Sequence, residues 1–303
     1  MSEPAVSVIV GTYNCAAFLP GLFDCLDAQT FRDFEIVVVD DASTDGATLP
    51  FLEALGSKIR LIRRTENSQT CELPRYQGAR AARAALCAFL DADDRWDPPF
   101  LEKTVAYMNA HPEAALVHTY VRLIDGEDRV LRVRHEGAIP TGDGVARALL
   151  EHCFITISAV VARRELWLAA VREEEITDFG MDLDFFLSLA RRHPIAFIPE
   201  VLGSYRRSEA SVSVKNWKRA PRNVVTLERL LNKELWGGIA PRRVMCRILA
   251  EAYRDDAEHW RHAGFPDRAR WFCKEGLKRF PFCRGLWSSY LKLLLSRRAE
   301  VRT

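Results

Sequence analysis

Short apolar runs that end in polar clusters alternate with amphipathic segments through the first part of the chain. "VSVIV" at 6–10 is a β-branched run and predicts a strand buried on both faces, ending at Gly11. "AFLPGLFDCLDAQ" (17–29) has apolar residues at helical spacing, "EIVVVDD" (35–41) is a second buried strand ending in acids, and "KIRLIRR" (58–64) is a third. An alanine-rich helix near Pro74 to Ala85 leads into a strand at Leu86 to Leu90. Strands alternating with helices predict an α/β fold with a mainly parallel sheet and helices on both sides. "ALVHTYVRLID" (115–125) and "RVLRVR" (129–134) read as strands joined at "DGED", "FITISAVVARR" (154–164) as another strand, and "DLDFFLSLARR" (182–192) as a helix. From about Pro221 the pattern is helical, and "GFPDRARWFCKEGLKRFP" (264–281) reads as a single helix-turn-helix unit. A boundary near residue 220 gives a catalytic domain over 1–220 and a helical region over 221–303.

The 303 residues suffice for a large core. A 48% apolar and 28% charged composition is ordinary for a globular enzyme, and a net charge of +2 does not point to nucleic acid. The eight cysteines are scattered without a CxxC pair, which predicts reduced thiols in a cytoplasmic setting and no zinc site. "MSEPAVSVIVGTYN" lacks the basic start of a signal peptide. No apolar run is long enough to predict a transmembrane helix. The basic tail "SSYLKLLLSRRAEVRT" reads as a final packing helix, and it also suits peripheral attachment to an anionic membrane.

Ligands of an open α/β sheet bind outside the carboxyl ends of its strands. The predicted ends carry Thr12, Tyr13 and Asn14; Asp40 and Asp41; and Asp91, Asp93 and Asp94. The last group lies in "LCAFLDADDRWDPPFLEK". Capping of the helix near Pro98 by Asp94 or Asp97 accounts for part of this cluster. Asp91 and Asp93 together point to more, because paired carboxylates become favourable when Mg2+ or Mn2+ sits between them and a phosphate.

In this context the chain resembles the family 2 glycosyltransferases of the GT-A fold. "VSVIVGTYN", "EIVVVDDASTDGA", "RYQGARAARAALCAFLDADD", and "GMDLDFFLSLARR" with "IPEVLGSYRRSEASVS" carry the resemblance, which covers roughly residues 5–215. It implies a GT-A sheet of Rossmann type and an inverting, nucleotide-sugar-dependent enzyme. Gly11 to Asn14 would pack on the base with Tyr13 stacked, and Asp41, with Asp40 near it, would hydrogen-bond the base or ribose. Arg75 would face the nucleotide, whereas Arg80 and Arg83 read as solvated. In Asp91-Ala92-Asp93, Asp93 would be the metal ligand and Asp91 would join it or contact the sugar. UDP- or GDP-sugar would be the donor, Mn2+ or Mg2+ the cofactor, and a glycan or lipid-linked hydroxyl the acceptor.

The family places the general base at the start of the acceptor-side helix. Helical periodicity turns Asp182 toward the apolar face and Asp184 to the surface, so Asp182 is the candidate base, with helix capping as its alternative role. The usual Glu-Asp pair is Met181-Asp182 here, which leaves room for Asp178 to contribute. Arg206 and Arg207, in a flap over 204–213, could meet the diphosphate or stay solvated. A glycine-poor "VGTYNCAAF" counts against nucleotidyltransferases, and "DRARW" in place of a Gln-x-x-Arg-Trp motif counts against a processive synthase. A binding or scaffold protein on a degenerate fold of the same kind is the alternative from another class.

Overall fold

The structure is a computed structural model that describes residues 3–134, 139–142, 144–176, 181–207, 224, 227–228, 239–262 and 265–300. Its chain divides into two compact units, Met1–Ser211 and Val212–Thr303.

Among the described residues, the first unit is built on a nine-stranded sheet in the order β3-β2-β1-β4-β8-β6-β9-β5, with β7 beside β6. Strands β1 (Val6–Thr12), β2 (Phe34–Asp40), β3 (Arg60–Arg63) and β4 (Leu86–Phe89) are parallel neighbours. β6 (Leu116–Ile124) and β9 (Ile195–Arg206) run with them, while β5 (Arg95–Trp96), β7 (Val130–Val133) and β8 (Val160–Arg163) oppose them. The sheet is therefore mainly parallel, as expected. Val6, Val8, Ile9 and Val10 are all fully buried, as a continuous apolar run covered on both faces must be.

Helices α1 (Leu19–Asp27), α2 (Thr48–Ala54), α3 (Glu72–Ala81), α4 (Phe100–Ala110), α5 (Gly144–Glu151), α6 (Arg164–Ala170) and α7 (Asp182–Ala190) flank the sheet. α3 ends four residues before the expected Ala85. Side chains of the neighbouring strands explain this: Glu35 accepts from the Arg83 amide at 2.7 Å and Ser7 from the Ala84 amide at 3.1 Å. Those amides find acceptors without continuing the helix. α3 lies close on the sheet because Gly78 has no Cβ; one added there would stand 2.5 Å from Ile9 Cγ2.

In this unit two expectations about strands need correction. The strand foreseen over 154–164 forms only at Val160–Arg163, and residues 157–159 make a 3-10 turn. β9 was hidden because Pro199, Glu200 and Gly203 break the alternating pattern, and its pairing to β6 shifts register there. Its last residues, Ser204 to Arg206, belong to the strand and not to the expected flap; residues 208–213 lie outside the described residues.

In the second unit, α8 (Arg242–His262), α9 (Pro266–Arg279) and α10 (Arg284–Glu300) pack on one another. The stretch 264–281 holds one helix rather than a helix-turn-helix: Pro266 sits at its first turn and Pro281 lies just beyond its end. Tyr253, Trp260, Phe272 and Leu286 form the core. Gly276 allows the close crossing, since a Cβ there would lie 2.9 Å from both Tyr253 Cβ and Leu286 Cδ1. All eight cysteines are unpaired.

Gly78→Ala tests how tightly α3 is seated. It should destabilise the protein by about 2 kcal/mol, the usual cost of overpacking a core, and urea denaturation measures this.

Candidate active site

Because β2, β1 and β4 are parallel neighbours, their carboxyl ends open on one edge. Thr12 pairs in register with Asp40, and Asp91 lies two residues past the end of β4. At the β1 end, Thr12 Oγ1 donates to Asp40 Oδ1 at 3.2 Å, and Ser43 donates to the same carboxylate from its amide (3.1 Å) and hydroxyl (2.6 Å). Asn14, at φ 48°, accepts from the Thr44 and Asp45 amides at 2.7 and 3.0 Å. Asp41 accepts from the Ser68 amide and hydroxyl at 3.0 and 2.8 Å, and Arg64 Nε pairs with it at 2.6 Å. These polar side chains fix the loops after β2 and β3. Gly11 is half-buried and the Tyr13 ring is left 45% exposed at the edge.

Arg75 joins the far side of the edge together. It is 5% exposed, and its Nε and Nη2 grip Asp91 with contacts of 3.1, 2.6 and 2.8 Å. Nη1 donates to Asp182 Oδ1 at 3.1 Å. Burial works against its charge, yet Asp91 and Asp182 hold its pKa well above the ordinary value. A planar guanidinium suits this two-sided fork. The Asp91 amide in turn donates to Ser158 Oγ at 3.1 Å, which explains the turn that interrupts the strand foreseen over 154–164.

Asp182 opens α7 with a third of its side chain exposed. Burial pushes its pKa up to about 7 against the pull of Arg75, and Glu72 and Asp91 add to the rise. Met181 takes the N-cap position and its own side chain makes no capping hydrogen bond, so Asp182 is not the capping residue. Asp184, expected at the surface, is buried at 1% exposure. The single-faced wheel fails because α7 packs against both α5 and α6, with Phe185 stacked on Trp167 at 4.5 Å. Asp178 lies outside the described residues.

The acids after β4 divide their work. Ala92 is buried and Asp93 half-buried at the turn; burial and then Asp91 push the Asp93 pKa up to about 6. Asp94 is fully buried, and its Oδ1 accepts from the Arg206 amide at 2.8 Å. Neither Asp94 nor Asp97 caps α4: Pro99 holds the N-cap position, Gln29 Oε1 accepts from the Leu101 amide at 3.1 Å, and Asp97 pairs with Arg122. Arg206 is 2% exposed. Its donors go to the Asp93 carbonyl (2.9 Å), the Asp125 carbonyl (2.6 Å) and the Asp128 carboxylate, and it lies over the Phe18 ring. It braces the Asp93–Asp94 turn from within the fold, whereas Arg207 is exposed. Arg80 and Arg83 pair with Glu173 and Glu35 at the surface.

The sequence reading missed Glu72, Ser158 and the buried role of Arg206. Only Glu72 left a signal, an acid three residues before Arg75 and hence on the same helix face. The residues fit a divalent cation in a limited way. Both Asp91 oxygens are engaged by Arg75, Asp93 offers a carboxylate at the edge, and no group of three His, Cys, Asp or Glu side chains stands ready as a ligand set among the described residues. Magnesium-type ions commonly take one or two carboxylates and complete their shell with water and substrate phosphate.

Arg75→Ala should cost about 3 kcal/mol at pH 8, because it strands two carboxylates. At pH 5 Asp182 is protonated, given its raised pKa, and the loss should be smaller. Chemical denaturation at the two pH values checks this.

Residues 7–168, more than half of the chain, match the family described as Glycosyl transferase family 2. An uncharacterized glycosyltransferase of Nostoc is 31% identical over 168 residues, covering 53% of this chain and 51% of the relative, so the match spans about half of that protein's length. A putative teichuronic acid biosynthesis glycosyltransferase of Bacillus subtilis is 26% identical over 221 residues, covering 72% of this chain and 85% of its own. Among solved structures, S. aureus TarS 1–349 in complex with UDP-GlcNAc aligns with TM-score 0.63 at 18% identity, covering 97% of this chain and 92% of that one. A Pyrobaculum calidifontis mannosyltransferase in complex with GDP-Man and Mn2+ aligns with TM-score 0.54 at 18% identity, covering 99% and 87%. The two structures share the fold of this chain, and the match over residues 7–168 carries the conclusion: the chain belongs to glycosyl transferase family 2.

Proposed function

We propose that the protein is a non-processive, inverting glycosyltransferase. It moves a sugar from a UDP- or GDP-linked donor to a hydroxyl acceptor in surface polysaccharide assembly. The observation that carries this reading is the Arg75 bridge, which sets Asp182, with a pKa of about 7, beside the donor-side Asp91. A group of that pKa is ionised in half its copies near neutrality, which is where a general base works best. One base, with no second nucleophile placed among the described residues, suits direct displacement with inversion.

In this reading the exposed Tyr13 ring stacks on the nucleobase. Asp40, Asp41 and Asn14 hold the loops that shape its pocket, while Gly11, Thr12 and Ala92 keep the edge close-packed. Asp91 fixes Arg75, Asp182 takes the acceptor proton, and Arg206 keeps the Asp93 turn in place. Asp93 would hold Mn2+ or Mg2+. The ion, when bound, neutralises charge on the departing diphosphate. The mannosyltransferase with GDP-Man and Mn2+ and TarS with UDP-GlcNAc support the donor class, and the teichuronic acid relative supports the kind of product.

A lipid-linked acceptor would place the enzyme at the cytoplasmic face of a membrane. No helix among the described residues is long and apolar enough to cross one. α10 exposes Trp287, Leu291 and Leu294 beside exposed Arg284 and Lys292, a face suited to peripheral contact with anionic lipid. The side chains of 295–300 and all of 301–303 in the basic tail lie outside the described residues.

Asp182→Asn should leave the thermal shift by UDP-GlcNAc or GDP-Man with Mn2+ intact and cut transfer by roughly 10²- to 10⁴-fold. Wild-type kcat/KM should fall about tenfold per pH unit below about 7, as Asp182 takes up its proton. Transfer by Asp182→Asn at the wild-type rate would remove the base assignment. Absence of any donor binding by the wild type, with metal present, would favour the scaffold alternative.

Asp93→Ala separates the ligand role from folding. Donor stabilisation should lose its dependence on Mn2+, while the melting temperature without donor should stay near that of the wild type. Thermal shift with and without the ion reads both.

A further inference from the structure

Glu72 has no place in the chemistry described so far, yet it is a carboxylate buried at 3% exposure in the wall of the site. It lies one turn before Arg75 on α3, so the two side chains share a helix face. Its Oε1 accepts from the Met181 amide at 3.1 Å. Its Oε2 accepts from Thr70 Oγ1, which in turn accepts from the Glu72 amide at 3.1 Å. Met181 is the N-cap of α7, and its side chain is fully buried.

Helix starts leave amide donors that need acceptors. Within a capping box, a glutamate three residues into a helix reaches back to the N-cap amide. α7 has Phe185 and Asp184 in its first turn and no such glutamate. Glu72 performs that contact from another helix. Glu72 and Arg75 thus hold consecutive residues of α7, the first by the backbone of Met181 and the second by the carboxylate of Asp182.

We propose that Glu72 is a positioning residue for the Asp182 base: it caps α7 from outside and, paired with Arg75, keeps Asp182 turned into the cleft. The proposal rests on the reading of Asp182 as the base. It also gives a place to the Met181-Asp182 pair, because a carboxylate beside Asp182 comes from α3 rather than from position 181.

Among the described residues, the charged and titratable groups facing Asp182 are Arg75 and Glu72 from α3, Asp91 after β4, Arg134 after β7, and the Cys71 and Cys153 thiols. Burial raises the pKa of both thiols, Cys153 to about 12, so they stay neutral near pH 7. Of these groups, Glu72 is the one that touches the backbone at the start of α7. Its charge disfavours ionisation of Asp182, and its hydrogen bond fixes the chain that carries Asp182. Two substitutions separate these effects. Glu72→Gln keeps an oxygen acceptor for the Met181 amide and removes the charge; Glu72→Ala removes both.

The test measures release of UDP from UDP-GlcNAc, or GDP from GDP-Man, with Mn2+ across pH. Alongside it, the Asp182 carboxyl is titrated by carbon-13 NMR, its signal identified by its loss in Asp182→Asn. Glu72→Gln should keep kcat within about threefold of wild type, since the hydrogen bond survives. Its acidic limb and its Asp182 titration should both move to lower pH. Glu72→Ala should lower kcat by tenfold or more with donor KM within about twofold, the signature of an interaction that acts on the chemical step. Wild-type kcat and wild-type titration in both variants would overturn the proposal. So would a Gln variant as impaired as the Ala variant with an unmoved titration, which would mark a purely structural residue. If the wild type turns over no donor, the proposed function fails instead, and the NMR titration still decides whether Glu72 acts on Asp182.

Discussion

Arg75 is the constraint on which the site depends. It is buried and charged, and a buried charge persists only when it is paired and hydrogen-bonded. Asp91 meets the need with both oxygens and Asp182 with one. The first carboxylate follows a core strand and the second begins a helix some ninety residues later in the chain. One guanidinium thereby sets the distance between Asp91 and Asp182. Every element that positions Arg75 contributes to that spacing, including the Gly78 contact that seats α3 on β1.

The same economy shapes the rest of the edge. Acids that would repel one another are separated by giving each a different partner. Asp91 has Arg75, Asp94 has the Arg206 amide, and Asp40 and Asp41 have the hydroxyls and amides of Ser43 and Ser68. Asp93 remains half-buried at the turn, with a pKa raised to about 6 by burial and by Asp91. That is the carboxylate with most to gain from a cation. Asp182 is raised to about 7 by burial, even with Arg75 beside it. Desolvation thus outweighs the helix start, which would favour the ionised form.

Much of this was legible in the sequence. β1, β2 and β4 are covered on both faces, so they read as uninterrupted apolar runs, and their polar ends fall at one edge once they are parallel. Arg75, Asp91, Asp93 and Asp182 stand out in the sequence by their place in the motifs. What escaped depends on tertiary contact. α7 is packed on two sides, so a wheel with one buried face misplaced Asp184. β9 carries Pro199 and Gly203 and so lacks the alternation of a strand. Arg206 looks like a loop cation because nothing local shows that β6, β7 and the Asp93 turn enclose it. Glu72 bonds an amide more than a hundred residues away, and no periodicity within α3 reports such a partner.

The most direct measurement is a double-mutant cycle on stability between Asp91 and Asp182. Asp91→Asn, Asp182→Asn and the double variant are compared by urea denaturation at pH 8, above the Asp182 pKa of about 7. If the two share Arg75, losing one changes what the other contributes, and the double variant should depart from the sum by 0.5 kcal/mol or more, on the order found for residues in one ion-pair network. Additivity within about 0.3 kcal/mol, the behaviour of independent sites, would contradict the bridge.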